Sequence, residues 1–263
     1  MTHNAAGPTW TTLEVDDRDD RVVARLDRPQ ERNAISKEMV DELHEVCAQL
    51  ETDPRVLIVT GGEQGTFAAG ADIGELRDRG RDDALAGVNL RLFERIRALP
   101  LPTIAAIDGY ALGGGAELAY SCDLRLITER TVFGQPEPRL GIMAGAGAAW
   151  RLPRLVGESV AKQVLLAGAQ LDAEQSRRHG LVLDVVPPAE LLEQAHQIAD
   201  RIVRDSALAL RLSKMAVDAP EQAHPQLDLV AQAVLFEAED KRQRTTAFLD
   251  ERGQGRQPRE SDR

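Results

Sequence analysis

The order in which two kinds of apolar pattern occur constrains this chain most. Up to about residue 187, short β-branched or aliphatic runs recur between Asp, Pro and Gly: "TWTTLEVDD", "RVVARLD", "RVLIVTGG", "TIAAIDG", "DLRLIT" and "LVLDVVP". Runs of this length and make-up predict strands. Helical patterns lie between them. "SKEMVDELHEVCAQLE" sets Met39, Val40, Leu43, Val46, Cys47 and Leu50 on one helical face, with Ser36 as the N-cap. Beyond Pro188 the strands stop. Leu191, Leu192, Ala195, Ile198, Ala199 and Ile202 form one helical stripe; Leu229, Val230, Ala233, Val234 and Ala238 form another. This order predicts an α/β fold with a mixed core over residues 1–187 and a helical region over 188–252. The tail, 253–263, has no apolar residue and is predicted to be disordered. The charged, glycine-broken "ELRDRGRDDA" (75–84) predicts a mobile loop.

Composition narrows the function classes. A chain of 263 residues with 43% hydrophobic content can bury a sizeable core, and with only 3% aromatics that core must be aliphatic and alanine-rich. A net charge of −11 argues against a general nucleic-acid binder, though it leaves room for a local basic pocket. Cys47 and Cys122 follow no metal-ligand spacing and read as small buried hydrophobes in a reducing compartment. The five histidines form no HxxxH pair, so no metal is expected. The N-terminus shows no secretory pattern, and the most apolar run, "GIMAGAGAAW", is about half a membrane span. The expectation is a soluble, cytoplasmic protein with no membrane partner.

Three stretches carry chemistry. In "GYALGGGAE" (109–117), three glycines follow a strand and Glu117 stands just beyond them. Glycine in a helix costs roughly 1 kcal/mol relative to alanine, so the run implies close approach to the backbone or tight helix packing. A helix start also leaves N–H groups without partners, and bare donors can stabilise a developing oxyanion. "TFAAGADIGEL" (66–76) has the same small-residue character, so two loops can each aim a donor at one carbonyl. Neither stretch matches a P-loop or G-x-G-x-x-G, and no G-x-S-x-G elbow is present. The third stretch, "FGQPEPRLGIMAGAG" (133–147), fixes Glu137 between two prolines. Glu117 and Glu137 can act as general acid and base only if the fold brings them together. Composition alone leaves packing and catalysis both open.

Taken together, in this order and spacing, the three stretches resemble the enoyl-CoA hydratase/isomerase (crotonase) family. "LDRPQERNAIS" (26–36) and "RLPRLVG" (151–157) resemble further signatures of it, and the resemblance spans roughly residues 10–252. It implies a crotonase-like spiral of ββα units with a C-terminal helical region used in trimerisation, as a trimer or dimer of trimers. The implied substrate is an acyl-CoA thioester, with no separate cofactor. Carried over by position, the backbone N–H groups of Ala71 and Gly114 correspond to the family's oxyanion hole. Glu117 and Glu137 correspond to the two catalytic glutamates of its hydratases. Ala69, Ala71, Asp72, Ile73 and Gly74 fall in the segment that runs past CoA, and Gly145 falls near the reacting end. Arg28, Arg32, Lys241 and Arg242 are basic candidates for the CoA phosphates. The chain departs from the family's usual "PGAGGTQRLPR" by reading "AGAGAAWRLPR", with Ala144, Ala148, Ala149 and Trp150 near the acyl pocket. Trp150 can line that pocket or pack against a neighbouring helix. The expected activity is reversible hydration of a trans-2-enoyl-CoA to the 3-hydroxyacyl-CoA. The alternatives are an isomerase of the same fold, which needs only one base, and a non-catalytic relative binding RNA or acyl-CoA.

Overall fold

The computed structural model describes residues 9–62 and 65–254, and the aliphatic runs lie at its centre. In chain order the elements are β1 (Leu13–Asp17), β2 (Arg21–Leu26), α1 (Lys37–Thr52), β3 (Val56–Thr60), β4 (Thr66–Ala68), α2 (Ile73–Asp78), α3 (Arg81–Ala86) and α4 (Val88–Arg97). They continue with β5 (Thr103–Ile107), β6 (Tyr110–Leu112), α5 (Gly114–Ser121), β7 (Leu124–Thr128), β8 (Val132–Gly134), α6 (Ala148–Val156), α7 (Glu158–Ala167) and α8 (Ala173–Arg178). β9 (Asp184–Val186), α9 (Leu191–Val203), α10 (Ala207–Asp218), α11 (Gln226–Glu237) and α12 (Glu239–Gln254) complete the chain.

Six strands form one sheet in the order β1-β2-β3-β5-β7-β9, antiparallel at β1–β2 and parallel elsewhere. Central parallel strands are covered on both faces, which is why "VLIVT" and "TIAAI" are apolar but for one terminal threonine each, and wholly buried. Side chains alternate across the sheet. Leu57, Val59, Ala105 and Ile107 join the larger core, with Met39, Leu43 and Val46 of α1 and Leu92, Phe93 and Ile96 of α4. Val56, Ile58, Ile104 and Ala106 point the other way, onto Leu191, Ala195, Ile198 and Ala199 of α9. Each fully buried Leu or Ile of this kind contributes roughly 1.5–3 kcal/mol. The predicted start of α1 is borne out, since Ser36 Oγ accepts from Met39 N at 3.2 Å.

A second, smaller sheet positions the site. β4, β6 and β8 pair in parallel, in chain order. Each follows directly on a strand of the large sheet, so a strand–strand–helix unit repeats along the chain. The ends of three parallel strands therefore lie side by side. Ala69–Ala71, Gly113–Gly114 and Gln135–Glu137 all leave from those ends.

The structure corrects one expectation. Residues 75–84 are not a loop but parts of α2 and α3. Charges in and just before this segment serve as caps and ion pairs: Asp72 Oδ1 accepts from Gly74 N at 3.0 Å, Asp83 accepts from Gly80 N at 2.8 Å, and Arg79 pairs with Glu75 at 2.9 Å. The compact units divide after Ile202, one helix later than the change of pattern at Pro188, because the α9 stripe packs on the large sheet. Gly253 and Gln254 end α12, while the rest of the predicted tail, like residues 1–8, lies outside the described residues.

The second unit consists of α10, α11 and α12, tied in part by Arg244 Nη1 donating to Arg204 O at 2.8 Å. No residue of α10 or α11 is buried, and Leu229, Val230 and Phe236 are 68%, 64% and 57% exposed. No helix among the described residues is long and apolar enough to cross a membrane.

Candidate active site

The three strand ends open onto a cavity of about 1140 Å³ in the first unit. Its walls include Ala69, Ala71, Ile73, Gly114, Glu117, Glu137 and Gly145, so most of the residues expected at the site are brought together. Asp72 and Gly74 are not among the wall residues; Asp72 caps α2 and holds Arg28 at 3.1 Å. Of the basic candidates, Arg28 is engaged by Asp72 and by Ala34 O at 2.6 Å, and Arg32 is exposed. In the second unit Lys241 lies over the Phe236 ring and Arg242 pairs with Glu239 at 3.6 Å. The cavity carries other cations that the sequence did not single out: Arg77, Arg79 and Arg81.

The glycine run serves packing and also leaves a backbone donor bare on the cavity wall. A side chain on Gly115 would meet Ala68 O at 2.2 Å, so this glycine lets α5 lie directly against β4. Gly113 has φ +52°, and a side chain there would lie 2.8 Å from Glu137 Oε1. Gly114 is left facing the cavity, where a Cβ would meet Ala71 N at 3.4 Å and Asn89 Nδ2 at 3.5 Å. Neither Gly114 N–H nor Ala71 N–H donates to any group among the described residues. Gly114 opens α5, where an N–H has no intrahelical partner. Two unengaged donors thus lie near each other on one wall.

The carboxylates face this wall from two elements. Glu117 lies in the first turn of α5 and is only 3% exposed. Its Oε1 accepts from Ala146 N at 2.8 Å and Ala148 N at 3.0 Å. Burial pushes its carboxyl up to about 7; the two N–H donors oppose the rise, the Glu137 charge adds to it, and Arg151 opposes it. Glu137 begins a 3-10 turn after β8 and is 9% exposed; burial raises its pKa as well. Two buried carboxyls on one cavity, at least one titrating near neutrality, can exchange protons with a bound molecule.

The clamp on Glu117 was not read from the sequence. Ala146 and Ala148 act through backbone N–H groups, and no side-chain type signals that. Arg151, only 2% exposed, braces the same loop by donating to Ala146 O at 3.3 Å and by an ion pair with Glu94. Gly147 makes room for it, since a Cβ there would lie 2.3 Å from Arg151 Nη1. Trp150 lies outside the cavity wall; it is 39% exposed and its ring stacks under Arg151 at 5.4 Å. Ala144 and Ala148 are buried beside the site, and Ala149 is exposed.

The chain is similar to known proteins in both sequence and fold. A family model described as enoyl-CoA hydratase/isomerase matches residues 21–255. The short-chain-enoyl-CoA hydratase of Clostridium acetobutylicum is 38% identical over 240 residues, covering 88% of this chain and 91% of that protein. The crotonyl-CoA hydratase of Syntrophomonas wolfei is 39% identical over 238 residues, covering 88% and 92%. A crystal structure of enoyl-CoA hydratase from Bacillus anthracis superposes with a TM-score of 0.86 at 32% identity, covering 92% of this chain and 97% of that one. With sequence, fold and the family model all agreeing over most of its length, this chain belongs to the enoyl-CoA hydratase/isomerase family.

Proposed function

We propose that the protein adds water reversibly to a trans-2-enoyl-CoA, using Glu117 and Glu137 as the acid–base pair and the N–H groups of Ala71 and Gly114 as the oxyanion hole. One observation carries this reading: two buried carboxyls share a cavity with two unengaged backbone donors. A thioester carbonyl set against those donors gains negative charge as water adds to the conjugated double bond. Paired donors stabilise that enolate, and each is typically worth 10²–10³ in turnover. The water oxygen bonds to C3 while the π electrons move toward the carbonyl. One water proton passes to the carboxylate pair, and a proton from the pair goes to C2. The pair ends as it began, and the product is the 3-hydroxyacyl-CoA.

The scheme needs no metal or redox group, because the thioester is the electron sink and the carboxyls carry the protons. Ala69, Ala71 and Ile73, all on the cavity wall, are the proposed path of CoA. A trimer-based assembly is part of the same reading, supported by the apolar residues that α11 leaves uncovered. Turnover of a panel of enoyl-CoA thioesters, with product mass, tests the activity. A gain of one water supports hydration; unchanged mass with a shifted double bond makes the protein an isomerase.

A further inference from the structure

One polar side chain on the cavity wall has no part in the scheme above. Asn89 is the second residue of α4. Leu92, Phe93 and Ile96 follow it by three, four and seven positions, are wholly buried and join the larger core. That spacing puts Asn89 at the head of the same helical face, where the pattern calls for an apolar residue. A half-buried carboxamide stands there instead. Its Oδ1 is buried with no hydrogen-bond partner among the described residues, so it caps no N–H of the helix. A buried polar atom left in this way works against the fold, and packing does not explain it.

The other end of the amide explains it. A side chain on Gly114 would put its first carbon 3.5 Å from Asn89 Nδ2 and 3.4 Å from Ala71 N. By backbone geometry the same point is about 2.5 Å from Gly114 N. Three nitrogens that carry hydrogen therefore surround one point on the cavity wall, and two of them are the bare backbone donors already described. The buried residues Leu92, Phe93 and Ile96 hold α4 in place, which fixes the amide beside α5.

We propose that Asn89 is a third, side-chain donor of the oxyanion hole: its Nδ2–H bonds the thioester oxygen as that oxygen becomes an enolate. The proposal rests on the acyl-CoA reading above. An enolate oxygen has lone pairs for three donors, and a donor fixed in advance favours the charged state over the neutral carbonyl. Asn89 is then a catalytic residue, and its orphaned Oδ1 is a stability cost that the site imposes on the fold.

The test uses the full chain with Asn89→Leu and Asn89→Asp, measuring kcat and KM with crotonyl-CoA and the melting temperature. The acyl part of this probe has one hydrogen-bonding oxygen, the thioester carbonyl. Losing a hydrogen bond to a charged group costs roughly 10- to 100-fold. Asn89→Leu is expected to lower kcat in that range with KM nearly unchanged and the melting temperature no lower than the parent's. Asn89→Asp keeps the shape but sets a negative charge against the enolate, so its kcat should fall at least as far. An unchanged kcat in either variant, or a loss confined to KM, would overturn the proposal. A second arm binds acetoacetyl-CoA, whose enolate is read by near-ultraviolet absorbance. The enolate fraction of the bound ligand should fall in both variants, and the parent's fraction persisting in them would overturn the proposal. If Asn89→Leu does not fold, Asn89→Asp decides by the same readings. A parent that binds acetoacetyl-CoA but does not hydrate crotonyl-CoA refutes the hydratase reading, while the enolate arm still decides the role of Asn89.

Discussion

Glu117 ties the stability of the fold to pH in a way that can be measured without substrate. Its carboxyl is raised from 4.5 to about 7 in the folded chain, chiefly by burial. The raised value means that the folded state holds the proton more tightly than the unfolded state. Below about pH 4.5 both states are protonated and this group's stability contribution is fully present. Between about 4.5 and 7 the unfolded chain releases the proton while the folded chain keeps it, so stability falls as pH rises. Above about 7 both are ionised and the loss is complete. One pKa unit corresponds to about 1.4 kcal/mol, so the shift amounts to about 3 kcal/mol. Glu117→Gln mimics the protonated carboxyl, and its amide oxygen can still accept from Ala146 N and Ala148 N. The variant is expected to differ least from the parent at pH 5 and to exceed it at pH 8 by up to about 3 kcal/mol. For a chain of this size each kcal/mol moves the melting temperature by about 2–4 °C. Denaturant and thermal melts of both proteins across pH 5–8 supply the comparison, while hydration by the variant should fall by about 10² or more. A stability difference that does not change with pH, or a variant less stable than the parent at pH 8, would refute the reasoning.

Three further outcomes are expected. Gly114→Pro removes one proposed oxyanion donor at the first position of α5, where proline is tolerated, and should lower turnover by about 10²–10³ with the fold intact; near-normal turnover in a folded variant would remove Gly114 from the mechanism. Gly115→Ala forces a methyl to within 2.2 Å of Ala68 O and should destabilise the chain by about 1–3 kcal/mol in denaturant melts, and a change below about 0.5 kcal/mol would contradict the packing argument. Sedimentation should report a multiple of three chains, whereas a monomer at micromolar concentration would refute the proposed assembly but not the chemistry.

How much of this was legible in the sequence varied with the kind of interaction. Strands such as Val56–Thr60 and Thr103–Ile107 announce themselves because burial on both faces demands near-continuous apolar runs. The α9 stripe was equally plain, yet periodicity says that a face is buried and not against what. Its partner, the second face of the large sheet, becomes visible only with the strands in place. Residues 75–84 misled because capping and ion-paired charges have the same composition as a solvated loop. At the site, Glu117 and Glu137 stood out as carboxylates in unusual settings, but nothing in "GIMAGAGAA" marks Ala146 and Ala148 as the donors that clamp Glu117.

Gly114 and Glu117 belong to the same turn of α5, three residues apart and therefore about 4.5 Å along the axis. One helix thus serves as a ruler between the proposed oxyanion donor and one carboxyl. Any tilt of α5 carries both groups together and preserves their separation, whereas Glu137 rides on a different segment. The fold therefore couples the proposed oxyanion donor to one proposed acid–base carboxyl and sets the other on a separate segment. In the proposed mechanism, altering the segment after β8 changes the second carboxyl while leaving the ruler untouched.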